Sequence, residues 1–181
     1  MVRISVLKNK IDLYLQREQL IKNEGHLKLE KLFLKKARKN FTVANVMLTI
    51  SEEDEPKKTL TLSEDFEMYE WVIVVSYYAM YVSALAALAK LGFKSKSHAA
   101  TISVLEYYYV HQNNNLESKH IYKLTKAYFL SDNLINKLIQ TKMRRETAQY
   151  DATPGISREN AISALDDAEE FITKIEETLN Q

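Results

Sequence analysis

The sequence predicts an all-α protein, a bundle of long helices. Its 181 residues include only three glycines and two prolines, and sheet-rich folds need many turns built from those residues. Apolar residues make up 46% of the chain, which is enough for a hydrophobic core, and in several segments they recur with helical spacing. We expect one domain, in which N-terminal helices (1–50) pack on the bundle, a polar loop (51–65) follows, and residues 66–181 form the helical core.

The net charge of +1 gives the chain no overall field that would attract nucleic acid, so any RNA contact must come from a local patch. There is no cysteine, which excludes a disulfide framework, a thiolate zinc site and a cysteine nucleophile. The absence of cysteine also fits a cytoplasmic protein. We expect no signal peptide, because Lys8 and Lys10 interrupt the apolar residues near the N-terminus.

The N-terminal quarter is predicted to form one or two amphipathic helices between residues 6 and 48. Residues 23–26 (Asn-Glu-Gly-His) favour a break between them. The second helix is rich in lysine, which favours a solvated face over a stripe that binds nucleic acid. Residues 51–65 are polar and lack periodicity, which predicts a projecting, mobile loop with a short extended piece at 59–62.

A helix from Phe66 to Leu91 is predicted at the centre of the bundle, with Gly92 as its C-terminal cap. Residues 71–89 carry no charge, and a run of this length is also typical of a transmembrane helix. We favour a buried core helix, because two serines interrupt the run, its alanines suit close helix packing, and acidic rather than basic residues precede it. No membrane partner is therefore expected.

Three further helices are predicted in the C-terminal half of the chain. Ser97 can cap a helix that runs to about His111. Residues 117–149 have helical spacing, with a candidate break at 131–133. After a Pro-Gly pair, Ser157 can cap a last helix with a regular apolar stripe.

The sequence carries no motif for a metal or a nucleotide cofactor. None of its four histidines has the spacing of a metal-binding pair, and there is no His-Glu-x-x-His. There is also no glycine-rich phosphate loop, no Gly-x-Ser-x-Gly and no kinase signature. We therefore predict neither a bound metal nor a cofactor.

Two polar segments are weaker candidates for a site. Backbone amides in Ser95-Lys96-Ser97-His98 would suit a phosphate, but a plain turn whose serine caps the next helix is the favoured interpretation. Three consecutive tyrosines at 107–109 cannot share one helix face, so packing is favoured over stacking on RNA.

The densest group of charged and phenolic side chains lies at 144–150, with the sequence Arg-Arg-Glu-Thr-Ala-Gln-Tyr. Arg144 and Arg145 can bind a phosphate with bidentate geometry. Arg145 and Tyr150 are about 140° apart on an ideal helix, so they converge only if the helix unwinds or across a dimer. Spacing alone favours the simpler interpretation, a helix C-terminus with favourable cations.

The order of these motifs resembles the HEPN domain family. The motifs are Ser76-Tyr-Tyr-Ala-Met-Tyr with the alanines that follow, then Gly92, then Lys96-Ser-His98, then Arg145-x4-Tyr150, and then a final amphipathic helix. The similarity covers roughly residues 66–181. It implies an all-α, four- to five-helix up-and-down bundle that is usually a homodimer.

The resemblance also implies a range of functions. Many HEPN proteins are metal-independent endoribonucleases with an Arg-x4–6-His motif, others are RNA-associated without catalysis, and many are encoded beside a minimal nucleotidyltransferase as a toxin–antitoxin pair. In this chain no arginine stands four to six residues before a histidine, and Tyr150 takes the place of the catalytic His. Because an unperturbed tyrosine has a pKa of about 10, Glu146 or His98 would have to supply the general base.

We therefore predict Arg145 and Tyr150 as catalytic residues, with Arg144, Lys96 and His98 as nucleic-acid contacts. The function is predicted to be RNA or nucleotide contact, with endoribonuclease activity in a toxin–antitoxin or defence system. The expected partners are RNA or a nucleotide, a second copy of the chain and a minimal nucleotidyltransferase. The alternative is a non-catalytic helical module that docks the nucleotidyltransferase.

Overall fold

A computed structural model describes residues 2–145 and 157–180, with side chains described from residue 4 onward except at 137–145. The described residues are almost entirely helical, which confirms the all-α prediction. In chain order the elements are α1 (Val2–Gln16), β1 (Leu20–Lys22), a 3-10 helix (Glu24–Leu29), α2 (Glu30–Glu52), α3 (Asp54–Thr59), α4 (Tyr69–Lys90), β2 (Phe93–Ser95), α5 (His98–Leu105), a π-helix (Glu106–Gln112), α6 (Ser118–Arg145) and α7 (Arg158–Leu179).

Helix α4 forms the centre of the bundle, where it contacts α2, α6 and α7. Its alanines at 79, 84, 86 and 87 are fully buried and allow these helices to approach closely. Among the described helices, α4 is long and apolar enough to cross a membrane, with a mean hydropathy of 1.9, but 78% of its apolar window is buried inside the protein. Burial accounts for its composition and confirms the predicted core helix.

Helix α7 closes the bundle against α4 and α2. Ser157 caps it as predicted, since its side chain accepts a hydrogen bond from the Asn160 amide. Phe171, Ile172 and Ile175 lie on its apolar stripe and are fully buried. Truncating a side chain such as Phe171 to alanine typically costs about 3–5 kcal/mol in a core of this kind.

A small antiparallel sheet joins the N-terminal arm to the bundle, and the sequence did not predict it. Leu20 pairs with Ser95, and Lys22 pairs with Phe93. Gly92 follows α4 in the left-handed region, at φ 77°, and the chain turns there into β2. The Gly92 carbonyl accepts a hydrogen bond from the backbone amide of Asn23 at 2.9 Å. Strands of three residues are too short to show an alternating pattern.

The structure differs from the predicted loop at 51–65. Helix α2 continues to Glu52, and α3 occupies Asp54–Thr59, with Pro56 in its first turn, where a proline is tolerated. The predicted extended piece at 59–62 is wrong, because Thr61 has a positive φ of 57° and lies in a turn. The Lys57 side chain is buried, and its ammonium donates to the Glu64 carbonyl at 2.8 Å, which ties the segment down.

Two predicted helices also differ in detail. Helix α6 runs through 131–133 without the predicted break, because Ser131 and Leu134 are buried and tertiary packing outweighs a weak local signal. The helix after Ser97 changes to π geometry at Glu106–Gln112. Tyr109 is buried there, and its hydroxyl donates to the Ala87 carbonyl at 2.7 Å, as expected of a packing tyrosine.

Candidate functional site

The site is built around the first residue of α5, His98. Strand β2 ends three residues before His98. The Ser97 side chain caps α5 by accepting a hydrogen bond from the backbone amide of Ala100. The Ser97 amide donates to Ser95 Oγ at 3.2 Å, and the Lys96 amide donates to the Gln19 carbonyl at 2.9 Å. These donors have partners within the protein, which favours the capping interpretation over a phosphate held by backbone amides.

The imidazole of His98 lies where α4, α5 and α6 meet. The Tyr77 hydroxyl is 2.6 Å from His98 Nδ1, and the direction of this hydrogen bond depends on the histidine tautomer. The His98 ring centroid is 4.2 Å from that of Tyr81 and 4.5 Å from that of Tyr128, on which it stacks. Three helices therefore fix the position of one half-buried imidazole.

Burial sets the protonation states of His98 and its neighbouring tyrosines. Burial lowers the pKa of His98, and the charge of the Asp132 carboxylate on α6 has the smaller, opposite effect on this pKa. Burial also raises the pKa of the Tyr77 and Tyr81 hydroxyls above the ordinary value for tyrosine. At neutral pH the pair is therefore a protonated phenol beside a neutral imidazole, which can exchange a proton with a ligand.

Two outer rings extend this group toward solvent. Tyr78 is 43% exposed and contacts Tyr77, with ring centroids 5.3 Å apart. Phe129 is 60% exposed and contacts Tyr128 at the same separation. We call the six rings of Tyr77, Tyr78, Tyr81, His98, Tyr128 and Phe129 the aromatic cluster.

Of the five predicted site residues, the structure describes the side chains of Lys96 and His98. Arg144 and Arg145 are the last residues of α6, where only the backbone is described, and Tyr150 lies outside the described residues. Tyr128, which stacks on His98, is 17 residues before Arg145 (145 − 128) on one continuous helix. At a rise of 1.5 Å per residue this separation is about 25 Å. Lys96 is exposed two residues before His98.

Sequence reasoning missed most of the groups around His98. Tyr77 and Tyr81 are one turn apart on α4 and belong to the motif that carried the family resemblance, so the sequence did mark these two tyrosines. Tyr128 and Asp132 gave no signal, because only the packing of α6 on α4 and α5 brings them to His98. The described residues contain no group of three or more acidic or histidine side chains that could hold a metal ion.

Comparison with known proteins agrees with this arrangement of helices and motifs. The family model described as HEPN domain matches residues 57–178, about two thirds of the chain. The chain belongs to the HEPN domain family. It is also similar to a UPF0332 protein from Archaeoglobus fulgidus, with 31% identity over 120 residues that cover 65% of this chain and 83% of the relative. Membership supports a general function related to nucleotides or RNA.

Proposed function

We propose that the protein is a cytoplasmic, RNA- or nucleotide-contacting HEPN protein of a toxin–antitoxin or defence system, with metal-independent endoribonuclease activity. The observation that carries this proposal is the imidazole of His98, which is held at the Tyr77 hydroxyl two residues after the exposed Lys96. Its pKa is lowered by burial. His98 thus supplies the group that the arginine–tyrosine motif lacks, a base that is unprotonated at neutral pH.

The chemistry assigns one task to each group. Cleavage of RNA by attack of the ribose 2′-hydroxyl needs a base to accept its proton, and neutral His98 is suited to this. Arg145 would stabilise the negative charge that develops on the phosphate oxygens, and Arg144 would add a second cation. Tyr150, as a phenol of high pKa, would donate a proton or orient the phosphate.

About 25 Å of helix separates the backbone of Arg145 from that of Tyr128, whose ring stacks on His98, which favours action of His98 and Arg145 on one phosphate from different copies of the chain. The proposed joint action of the two residues then requires two copies of the chain. This requirement agrees with the homodimer expected from the family, with His98 of one protomer facing Arg145 of its partner.

The first experiment is a cleavage assay on single-stranded and structured RNA in the presence of EDTA. We expect wild type to cleave RNA, and we expect the cleavage rates of Arg145→Ala and His98→Gln to fall about a hundredfold or more. The cleavage rate of Tyr150→Phe is expected to fall as well. Lys39→Ala, which removes an exposed lysine from α2, is the control and should retain activity. Absence of cleavage by folded wild type would overturn the enzymatic proposal.

Mixing two inactive variants tests the two-copy requirement. In a mixed dimer of His98→Gln and Arg145→Ala, one of the two sites has both residues intact. Random pairing should then restore about a quarter of wild-type activity. No recovery in a mixture shown to exchange subunits would contradict a site shared between protomers.

The alternative function is a non-catalytic module that docks a minimal nucleotidyltransferase. The observation that favours it is an open apolar groove between α2 and α3, lined in part by Val46, Ile50, Pro56 and Leu60. Val46 and Leu60 are about half exposed. If docking is the function, Leu60→Ser should weaken binding of a co-expressed nucleotidyltransferase, and Arg145→Ala should leave that binding unchanged.

A further inference from the structure

We propose that the aromatic cluster is a stacking site for unpaired bases of a single-stranded RNA. This inference rests on the proposed function and adds a binding surface to the same site. It is carried by the chain of ring contacts that leads from buried Tyr77 to the solvent-exposed rings of Tyr78 and Phe129.

The two exposed rings are supported from behind. Tyr77 is 4% exposed and contacts both Tyr78, at 5.3 Å, and Tyr128, at 5.9 Å between ring centroids. Tyr128 in turn contacts Phe129. The rings on α4 and α6 are therefore part of one packed group and need little reordering when a flat ligand covers them. Base stacking on such rings tolerates any sequence, because every base has a π-face.

The edges of the cluster suit a base better than an aliphatic partner. The half-buried His98 imidazole and the Asp132 carboxylate, which acts on the pKa of His98, supply polar groups around the rings, whereas the Tyr81 hydroxyl is hydrogen-bonded to buried Thr101. Lys96 is exposed before His98, and Lys126 is exposed one helical turn before Phe129. A nucleotide uses all three features, since its base stacks, its edge forms hydrogen bonds and its phosphate pairs with a cation.

The position of the cluster on α6 also sets a length. Arg145 ends the same helix about 25 Å from Tyr128. A stacked strand rises about 3.4 Å per nucleotide, so about seven nucleotides reach from the rings to that arginine. An RNA of about twelve nucleotides is therefore long enough to reach from the rings to Arg145 of the same chain.

The test is fluorescence anisotropy with the full chain and an unstructured RNA of about twelve nucleotides, compared with a duplex of the same length. We expect Tyr78→Ala and Phe129→Ala each to raise Kd for the single strand about tenfold. Phe129→Leu keeps an apolar side chain without a ring and should behave like Phe129→Ala. Tyr122→Ala is the matched control, because Tyr122 lies on α6, is 69% exposed and stands two turns before Phe129.

Salt dependence separates stacking from phosphate contact. Loss of a ring should leave the slope of log K against log salt unchanged, because no counterion is involved. Lys96→Ala should reduce that slope by about 0.7 for a single strand. A slope that changes equally in both variants would contradict the assignment of the rings to bases.

Other outcomes are equally decisive. If wild type binds neither RNA, the proposed function itself fails. If wild type binds or cleaves RNA and the ring variants match Tyr122→Ala, only the stacking site is overturned. If the ring variants change the oligomeric state in sedimentation, the rings form an interface between copies, and the stacking site is again overturned. Preference for the duplex would overturn the single-stranded substrate class.

Discussion

Packing changes the acid–base chemistry of the His98 side chain. Its pKa is lowered because α4, α5 and α6 enclose the ring, and the Asp132 carboxylate limits this effect. The hydroxyl of Tyr77 on one side and the rings of Tyr81 and Tyr128 on the others keep the imidazole in one orientation. If His98 is the proposed base, its imidazole is held in place for proton transfer before the substrate binds.

Replacing Asp132 tests whether its carboxylate raises the pKa of His98. Asp132→Asn removes the carboxylate charge that raises the pKa of His98, so we expect the pKa to fall further. NMR titration of the His98 ring protons measures this pKa directly. Asp166→Asn, at an exposed position on α7, is the control. If cleavage uses His98, the acidic limb of the pH–rate profile should move to lower pH by the same amount. An unchanged or higher pKa would contradict the assigned cause.

The helices could be predicted where the sequence carries long periodic patterns or clear caps. The last helix is the best case, since Ser157 and the apolar stripe both mark it and α7 begins and ends as they indicate. Helix α3 escaped prediction, because six residues are too few for a period to emerge. Residues 106–111 were predicted as helix, but their π geometry was not. The Ser-Asp-Asn sequence in α6 gave a false break, because local preference is weak beside the packing of a buried helix.

The Ser157 cap of α7 is expected to contribute to the stability of the protein. Ser157→Ala removes the oxygen that accepts from the Asn160 amide, and we expect the free energy of unfolding to fall by about 1 kcal/mol. Ser163→Ala is the matched control, since Ser163 is exposed within α7, where alanine is the better helix former. Urea denaturation measures both. Equal stability of the two variants would show that the cap contributes nothing.

Two histidines, half-buried His98 and buried His120, give the whole molecule a predictable response to acid. Burial lowers the pKa of His98 and also that of His120, which is 2% exposed. Between each lowered pKa and the ordinary value of about 6.5, the unfolded chain binds a proton that the folded chain does not. Stability therefore rises with pH in this window and falls as the solution is acidified through it.

The free energy of unfolding, measured by urea denaturation at a series of pH values, should fall as the pH drops below about 6.5. His98→Gln removes one of the two groups, so its slope in this window should be smaller than that of wild type. A slope that is unchanged in His98→Gln would assign the acid response to other groups. Carboxylates such as Glu170, whose pKa is lowered mainly by the hydrogen bond from Lys123, add a further loss at lower pH.

The site could be predicted only in part, and the whole molecule explains why. Lys96 and His98 could be proposed from the sequence because they belong to a local motif at a capped helix start. Their relation to Arg145 depends on the length and direction of α6, which no local pattern contains. The partners of His98, which begins α5, come from two other helices, α4 and α6, that are distant from each other in sequence, so the cluster exists only once the bundle has formed.

The small sheet has a consequence for the order in which this chain folds. The pairs Lys22–Phe93 and Leu20–Ser95 join residues 71 and 75 positions apart (93 − 22 and 95 − 20), so their formation closes a long loop. Such non-local contacts are slow to form, whereas α4 and α7 can grow from local contacts. The strand that leads into His98 should therefore be secured late. A fragment limited to residues 57–178 would lack both β1 and α2, and the refolding of such a fragment should leave the entrance to α5 without its neighbouring strand.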